Sequence, residues 1–122
     1  MDRSHRILVV DDDALERASL SAVLAEEGIL ATCCERAVDA LEHLRACPDF
    51  GLIISDVMMP EMDGLEFARH VRGVRPGIPL MFITGHDDVV DRVVADGNIA
   101  LLKPYTAASL KRVLRERLAL PG

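Results

Sequence analysis

The sequence has no apolar run near the roughly 20 residues that a helix needs to cross a bilayer. Nothing at the N-terminus reads as a secretory leader, since Met1-Asp2-Arg3-Ser4-His5 leads straight into a strand-like run. These two absences predict a cytoplasmic chain with no membrane partner. Positive charge is in deficit, with 14 Lys and Arg against 20 Asp and Glu and a formal net charge of −6, which argues against direct binding to nucleic acid. The three cysteines, Cys33, Cys34 and Cys47, show no metal-ligand or redox spacing. An odd count with two adjacent fits reduced thiols, and Cys33 and Cys34 read as packing residues of a second strand. The four histidines, His5, His43, His70 and His86, are scattered, which argues against a zinc site. There is no linker, low-complexity segment or long repeat. The 122 residues read as one domain over 1–122 with a core of about 5–119, and Leu120-Pro121-Gly122 reads as a tail or the start of a linker.

Half of the residues are apolar, enough for a sizeable core. Short aliphatic runs alternate with longer segments of helical period. The runs Ile7–Val10, Ile29–Cys33, Leu52–Ser55, Leu80–Ile83 and Ile99–Leu102 predict strands. The intervening segments predict helices over about 14–27, 37–46, 65–72 (ending at Gly73), 89–95 (a weak one) and 107–118. Gly28 is placed to cap the first helix. Leu20, Val23, Leu24 and Glu27 share a face of the first helix, and Leu110, Val113, Leu114 and Leu118 one of the last. Five βα units with helix-length crossovers predict an α/β fold. We expect a flavodoxin-like, doubly wound (βα)5 arrangement with a five-stranded parallel sheet in the order 2-1-3-4-5.

Four of these strands end on reactive polar residues. The first ends in Asp11-Asp12-Asp13, the third in Asp56, the fourth in Thr84 and the fifth in Lys103-Pro104. In an open parallel sheet, ligands bind beyond the carboxyl ends of the strands. Three carboxylates, a hydroxyl and an ammonium gathered there suit a hard divalent cation and an anionic substrate. Asp12 and Asp56 are candidates for direct ligation, with Asp11 acting through a bound water. Asp56 is the natural nucleophile, since a carboxylate can form an aspartyl phosphate. Thr84 can donate to a phosphoryl oxygen and Lys103 can neutralise another. Such positioning and charge stabilisation are most of what phosphoryl transfer requires. Each residue alone has a plainer reading, as a turn, a cap or a solvated charge, and Asp13 is read that way, as a cap. The functional reading rests on their common position at one end of one predicted sheet.

Taken together, these residues resemble the receiver (REC) domain of two-component response regulators. The resemblance covers essentially the whole chain. It rests on Ile7-Leu8-Val9-Val10-Asp11-Asp12-Asp13, Asp56-Val57-Met58-Met59-Pro60-Glu61-Met62-Asp63-Gly64, Thr84-Gly85 and Lys103-Pro104. It implies that Asp56 is the phosphoacceptor, charged by a histidine kinase or a histidine phosphotransfer protein in a bacterial signalling pathway or phosphorelay. It implies Mg²⁺, with Mn²⁺ as a possible substitute, held by Asp11, Asp12, Asp56 and the main-chain carbonyl of Met58. Thr84 is then the switch hydroxyl, Lys103 the phosphoryl contact, Pro104 a cis proline, and Gly85 the residue that leaves room for the phosphoryl group. Met58 and His86 stand where similar proteins tune the loss of the phosphoryl group, and Met58 predicts slow self-dephosphorylation. The implied protein is a switch that catalyses its own phosphorylation and dephosphorylation, not a turnover enzyme.

Two departures from that family stand out. Ala100 occupies the place of the usual aromatic residue three before the lysine, and Tyr105 offers no obvious replacement. Lys103 follows Thr84 by only 19 positions (103 − 84), so the fourth helix is expected to be short or irregular. Both features are similar to receivers of hybrid sensor kinases, and both predict an output that bypasses the usual face of the last two βα units. Lys111, Arg112, Arg115 and Arg117 read as a solvated face of the last helix. A weak homodimer is compatible with the resemblance. Two rival classes are a Mg²⁺-dependent phosphohydrolase working through an aspartyl phosphate, and a receiver that binds partners without being phosphorylated. The first normally needs an acid two residues after the nucleophile, where this chain has Met58; the intact acids, Thr84 and Lys103 argue against the second.

Overall fold

A computed structural model describes residues 6–59 and 61–118. Met1–His5, Pro60 of the Met-Pro motif and the Leu120–Gly122 tail lie outside the described residues. The chain runs β1 (Arg6–Val10), α1 (Ala14–Glu26), β2 (Leu30–Cys34), α2 (Ala37–Ala46), β3 (Phe50–Asp56), α3 (Gly64–Val74), β4 (Leu80–Thr84), α4 (Asp87–Ala95), β5 (Ile99–Leu102) and α5 (Ala107–Leu118). All four strand pairings are parallel, in the order β2-β1-β3-β4-β5. The predicted α/β architecture and strand order are both present.

The strand runs are apolar throughout because helices cover both faces of the sheet. Alternation along each strand divides the core in two. Ile7, Val9, Leu52, Ile54, Met81 and Ile83 pack with Leu20 and Leu24 of α1 and Leu110 and Leu114 of α5. Leu8, Val10, Ile53 and Phe82 pack on the other face with Ala40, Leu41 and Leu44 of α2, Phe67 and Val71 of α3 and Val93 of α4. The two faces of α5 have different fates. Its apolar stripe is buried, while Lys111 and Arg115 pair with Glu26 and Glu27 of α1 at 2.8 and 3.1 Å. Arg112, Arg115 and Arg117 are exposed, as the solvated face expected of this helix, and Lys111 is half-buried in its ion pair.

Several boundaries differ from the sequence expectation for physical reasons. The third strand begins at Phe50, since Arg6 pairs with Phe50 but Ile7 with Leu52, and the irregularity falls at Gly51. The second strand runs one residue later than expected, over Leu30–Cys34; adjacent strand residues point to opposite faces, and Cys34 is buried while Cys33 is exposed, its Sγ 3.1 Å from Ser21 Oγ. Only one of the two cysteines is thus a packing residue. α3 runs through Gly73 to Val74, because Val71 and Val74 both pack on the core; Pro76 and Gly77, at φ +94°, end that segment. α4 is short, as expected, but regular, and it starts two residues earlier than the sequence predicts. Gly28 turns the chain after α1 at φ +74°.

Candidate functional site

The register carries the strand-end residues to one place. Val10 pairs with Ser55, so Asp11 and Asp56 leave the sheet side by side. Asp56 pairs with Ile83, and Thr84 is the next residue. Thr84 pairs with Leu102, and Lys103 follows. The period of two puts Asp11, Asp56 and Lys103 in line with the α1–α5 side of the sheet and Thr84 with the α2–α4 side.

One carboxylate oxygen from each of Asp11, Asp12 and Asp56 lies within 4.8 Å of the others. The Met58 N–H donates to Asp56 Oδ1 at 3.0 Å, and Lys103 Nζ stands 3.7 Å from Oδ2, beyond hydrogen-bond distance. Asp11 is only 4% exposed. Its Oδ1 accepts the Asp13 N–H at 2.9 Å, and Arg17 donates to its carbonyl at 2.7 Å. Burial pushes the Asp11 carboxyl up to about 7; the Asp13 N–H opposes this, and Glu16 and Asp56 add to it. A cluster of acids this close, one of them buried, is a set of charges that a hard divalent cation would offset.

The other predicted residues fall in line with different geometry. Thr84 is 1% exposed, and its hydroxyl oxygen accepts the His86 N–H at 3.0 Å. His86 is the exposed N-cap of α4. A Cβ added at Gly85 would meet nothing within 4 Å, so the approach beside Thr84 is open. The Met58 side chain is 59% exposed at the rim. The Lys103-Pro104 bond is cis, as expected. Asp13 caps α1, accepting from the N–H groups of Leu15 and Glu16. Ala100 pairs with Phe82 and packs on the face that Thr84 shares, whereas Tyr105 packs on the opposite face. Tyr105 therefore does not stand in for the missing aromatic.

Two residues were not singled out from the sequence. Glu16 reaches Lys103 Nζ at 2.7 Å, closer than Asp56 does. Burial alone would lower the Lys103 ammonium pKa, but the Glu16 hydrogen bond and the charges of Asp56, Glu16 and Asp11 raise it on balance. Arg17 links the Asp11 carbonyl to Glu35, the latter at 3.6 Å. The available signal for Glu16 was its place three residues after the Asp13 cap, which points to a local capping acid and not to a lysine on a distant strand.

Residues 7–115 match the family model of the response regulator receiver domain. The response regulator MprA of Mycobacterium tuberculosis is 36% identical over 115 residues, covering 92% of this chain and 50% of MprA. The chain thus spans about half the length of these curated relatives. Among solved structures, chemotaxis protein CheY4 of Vibrio cholerae superposes with a TM-score of 0.82 at 28% identity, over 92% of this chain and 97% of that one. The receiver domain of a sensor histidine kinase from Pseudomonas aeruginosa, solved with magnesium in its active-site cleft, shares the fold at 24% identity and a TM-score of 0.82, over 93% of this chain and 97% of that one. The family-model match over residues 7–115 shows that the chain belongs to the receiver-domain family of response regulators, and the strand order agrees with it.

Proposed function

We propose that Asp56 is the phosphoacceptor of this receiver domain, taking a phosphoryl group in the cytoplasm from the phosphohistidine of a histidine kinase or a histidine phosphotransfer protein. The observation that carries this reading is the convergence of Asp11, Asp12 and Asp56 within 4.8 Å, with Lys103 3.7 Å from Asp56. In the transfer, an Asp56 carboxylate oxygen forms the new bond to phosphorus. The phosphorus–nitrogen bond breaks, and the histidine nitrogen keeps the electron pair. The Met58 N–H holds Asp56 Oδ1, which leaves Oδ2, on the Lys103 side, free to attack. Lys103 then meets a phosphoryl oxygen, and Thr84 exchanges its bond from the His86 N–H for a donated bond to another. Asp11, Asp12, Asp56 and the Met58 carbonyl fit a hard cation. When bound, Mg²⁺, or Mn²⁺ in its place, screens the acids from the phosphoryl group.

Leu15 and Met58, 80% and 59% exposed, flank the acids and give an apolar rim on which a helical partner can seat. A phosphohydrolase would need an acid at position 58 to protonate a leaving group. Methionine there cannot do so.

Acetyl phosphate and magnesium, read by intact mass, test the proposal. Wild type is expected to gain one phosphate, and Asp56→Asn or excess chelator to abolish it. A phosphate retained at full level in Asp56→Asn contradicts the assignment. The same adduct reports its own decay. The Met58 thioether is a weak acceptor and cannot hold an attacking water firmly. Met58→Asn is expected to hasten hydrolysis by on the order of three- to tenfold, through a better-positioned water; an unchanged half-life removes Met58 from control of the lifetime.

A further inference from the structure

We infer that Glu16 is a positioning residue that holds the Lys103 ammonium away from Asp56 in the resting domain, so that an arriving phosphoryl group must draw Lys103 from it. The inference rests on the phosphoacceptor reading above. Lys103 Nζ is 2.7 Å from Glu16 Oε1 but 3.7 Å from Asp56 Oδ2, so its charge-assisted hydrogen bond goes to Glu16. The two side chains are each 29% exposed, and water screens the pair only in part.

Local structure explains why Glu16 is available. It stands three residues after the Asp13 cap of α1. A glutamate in that place ordinarily turns back to the N–H of the cap residue. Here the Asp13 N–H donates to Asp11 Oδ1 at 2.9 Å. The Glu16 carboxylate is released from that role and crosses to the lysine that follows β5. Arg17, next in sequence, does not offset its charge, being engaged by the Asp11 carbonyl and Glu35. Burial, and then the Glu16 charge, raise the pKa of the Tyr105 hydroxyl, as a carboxylate enclosed between α1 and the β5–α5 turn should.

The functional consequence is electrostatic. Glu16 is a fourth carboxylate beside Asp11, Asp12 and Asp56, and it is paired with the Lys103 ammonium. An ammonium has three N–H groups, so Lys103 can turn toward a phosphoryl oxygen without leaving the cleft. In doing so it weakens its bond to Glu16. The resting ion pair therefore acts as a brake on formation of the phosphorylated state.

The test uses wild type, Glu16→Gln, Lys103→Ala and the double variant. Equilibrium binding of beryllofluoride, a phosphoryl mimic, is measured with magnesium. Urea unfolding is measured in chelator, where no metal contributes. Glu16→Gln is expected to bind beryllofluoride about three- to fivefold more tightly, the size of effect expected of a partly exposed ion pair. The gain should vanish in the Lys103→Ala background. In chelator the two substitutions should be non-additive, which reports the ion pair itself. Unchanged or weaker beryllofluoride binding by Glu16→Gln overturns the inference, as does a gain that persists without Lys103. If wild type and all variants bind no beryllofluoride and take no phosphate from acetyl phosphate, the phosphoacceptor reading fails and the inference falls with it.

Discussion

Magnesium affinity is expected to rise about tenfold per pH unit between pH 5 and 7 and to level off above, because cation and proton compete for Asp11. In the metal-free domain, burial moves the Asp11 carboxyl from its ordinary 3.8 up to about 7, the Asp13 N–H resisting and Glu16 and Asp56 assisting. At pH 6 this group is mostly protonated, and a cation must displace that proton before Asp11 can ligate it or hold its water. Calorimetry in buffers of different ionisation enthalpy should register close to one proton released per magnesium at pH 6 and almost none at pH 8. The sign for folding runs the same way. A carboxyl whose folded pKa is raised favours the fold below its ordinary 3.8 and loses that contribution as pH rises through about 7. The chelated domain should therefore lose stability across that interval from this group, and magnesium should restore it at neutral pH and above. A flat affinity from pH 6 to 8, with no proton release, contradicts the account of Asp11. Asp12→Asn should lower magnesium affinity by about tenfold or more while leaving the metal-free fold in place.

Gly64→Ala is expected to lower stability by about 2 kcal/mol, or roughly 8 °C in Tm. A Cβ at Gly64 would stand 2.7 Å from Phe82 Cε1 and 2.9 Å from the Val57 Cα. Phe82 is fully buried and the other contact is main chain, so neither can yield cheaply. Helix propensity favours alanine by up to about 1 kcal/mol, less than the overpacking cost at a closed contact. The Gly64 N–H also donates to the Val57 carbonyl at 2.7 Å, closing the loop that carries Met58. The substitution should thus weaken magnesium binding as well, because the Met58 carbonyl sits in that loop. Thermal melts in chelator and in magnesium separate the two effects. A Tm equal to that of wild type in both conditions means the loop relaxes around the methyl group, against expectation.

Much of this site is legible in the sequence because a parallel sheet imposes a simple rule: residues that end adjacent strands meet at one edge. Asp11, Asp56, Thr84 and Lys103 need only strand order to be placed at that edge, and right-handed βα crossovers leave few orders to choose from; the register itself comes from the structure. Glu16 was not legible in the same way. Its spacing from Asp13 advertises a local cap, and its actual partner lies 87 residues away in the chain. Nothing in a linear pattern reports that the Asp13 N–H has been taken by Asp11. Gly64 was visible as part of the Met-Asp-Gly motif, but its close approach to Phe82 is a fact of packing. Both β3 and α3 are longer than the sequence reading, β3 beginning before Gly51 and α3 running past Gly73. In each case long-range pairing or burial outweighs the local preference of glycine. The two adjacent cysteines could not both be packing residues, because neighbours on a strand face opposite sides: Cys33 is exposed and Cys34 buried.

The most direct test of the central claim is to locate the phosphoryl group chemically. The domain is treated with acetyl phosphate and magnesium, reduced with borohydride, which converts an aspartyl phosphate to homoserine, and mapped by peptide mass. The account predicts homoserine at position 56 alone. Homoserine at position 11 or 12, or a borohydride-resistant phosphate on Ser55 or Thr84, would contradict it.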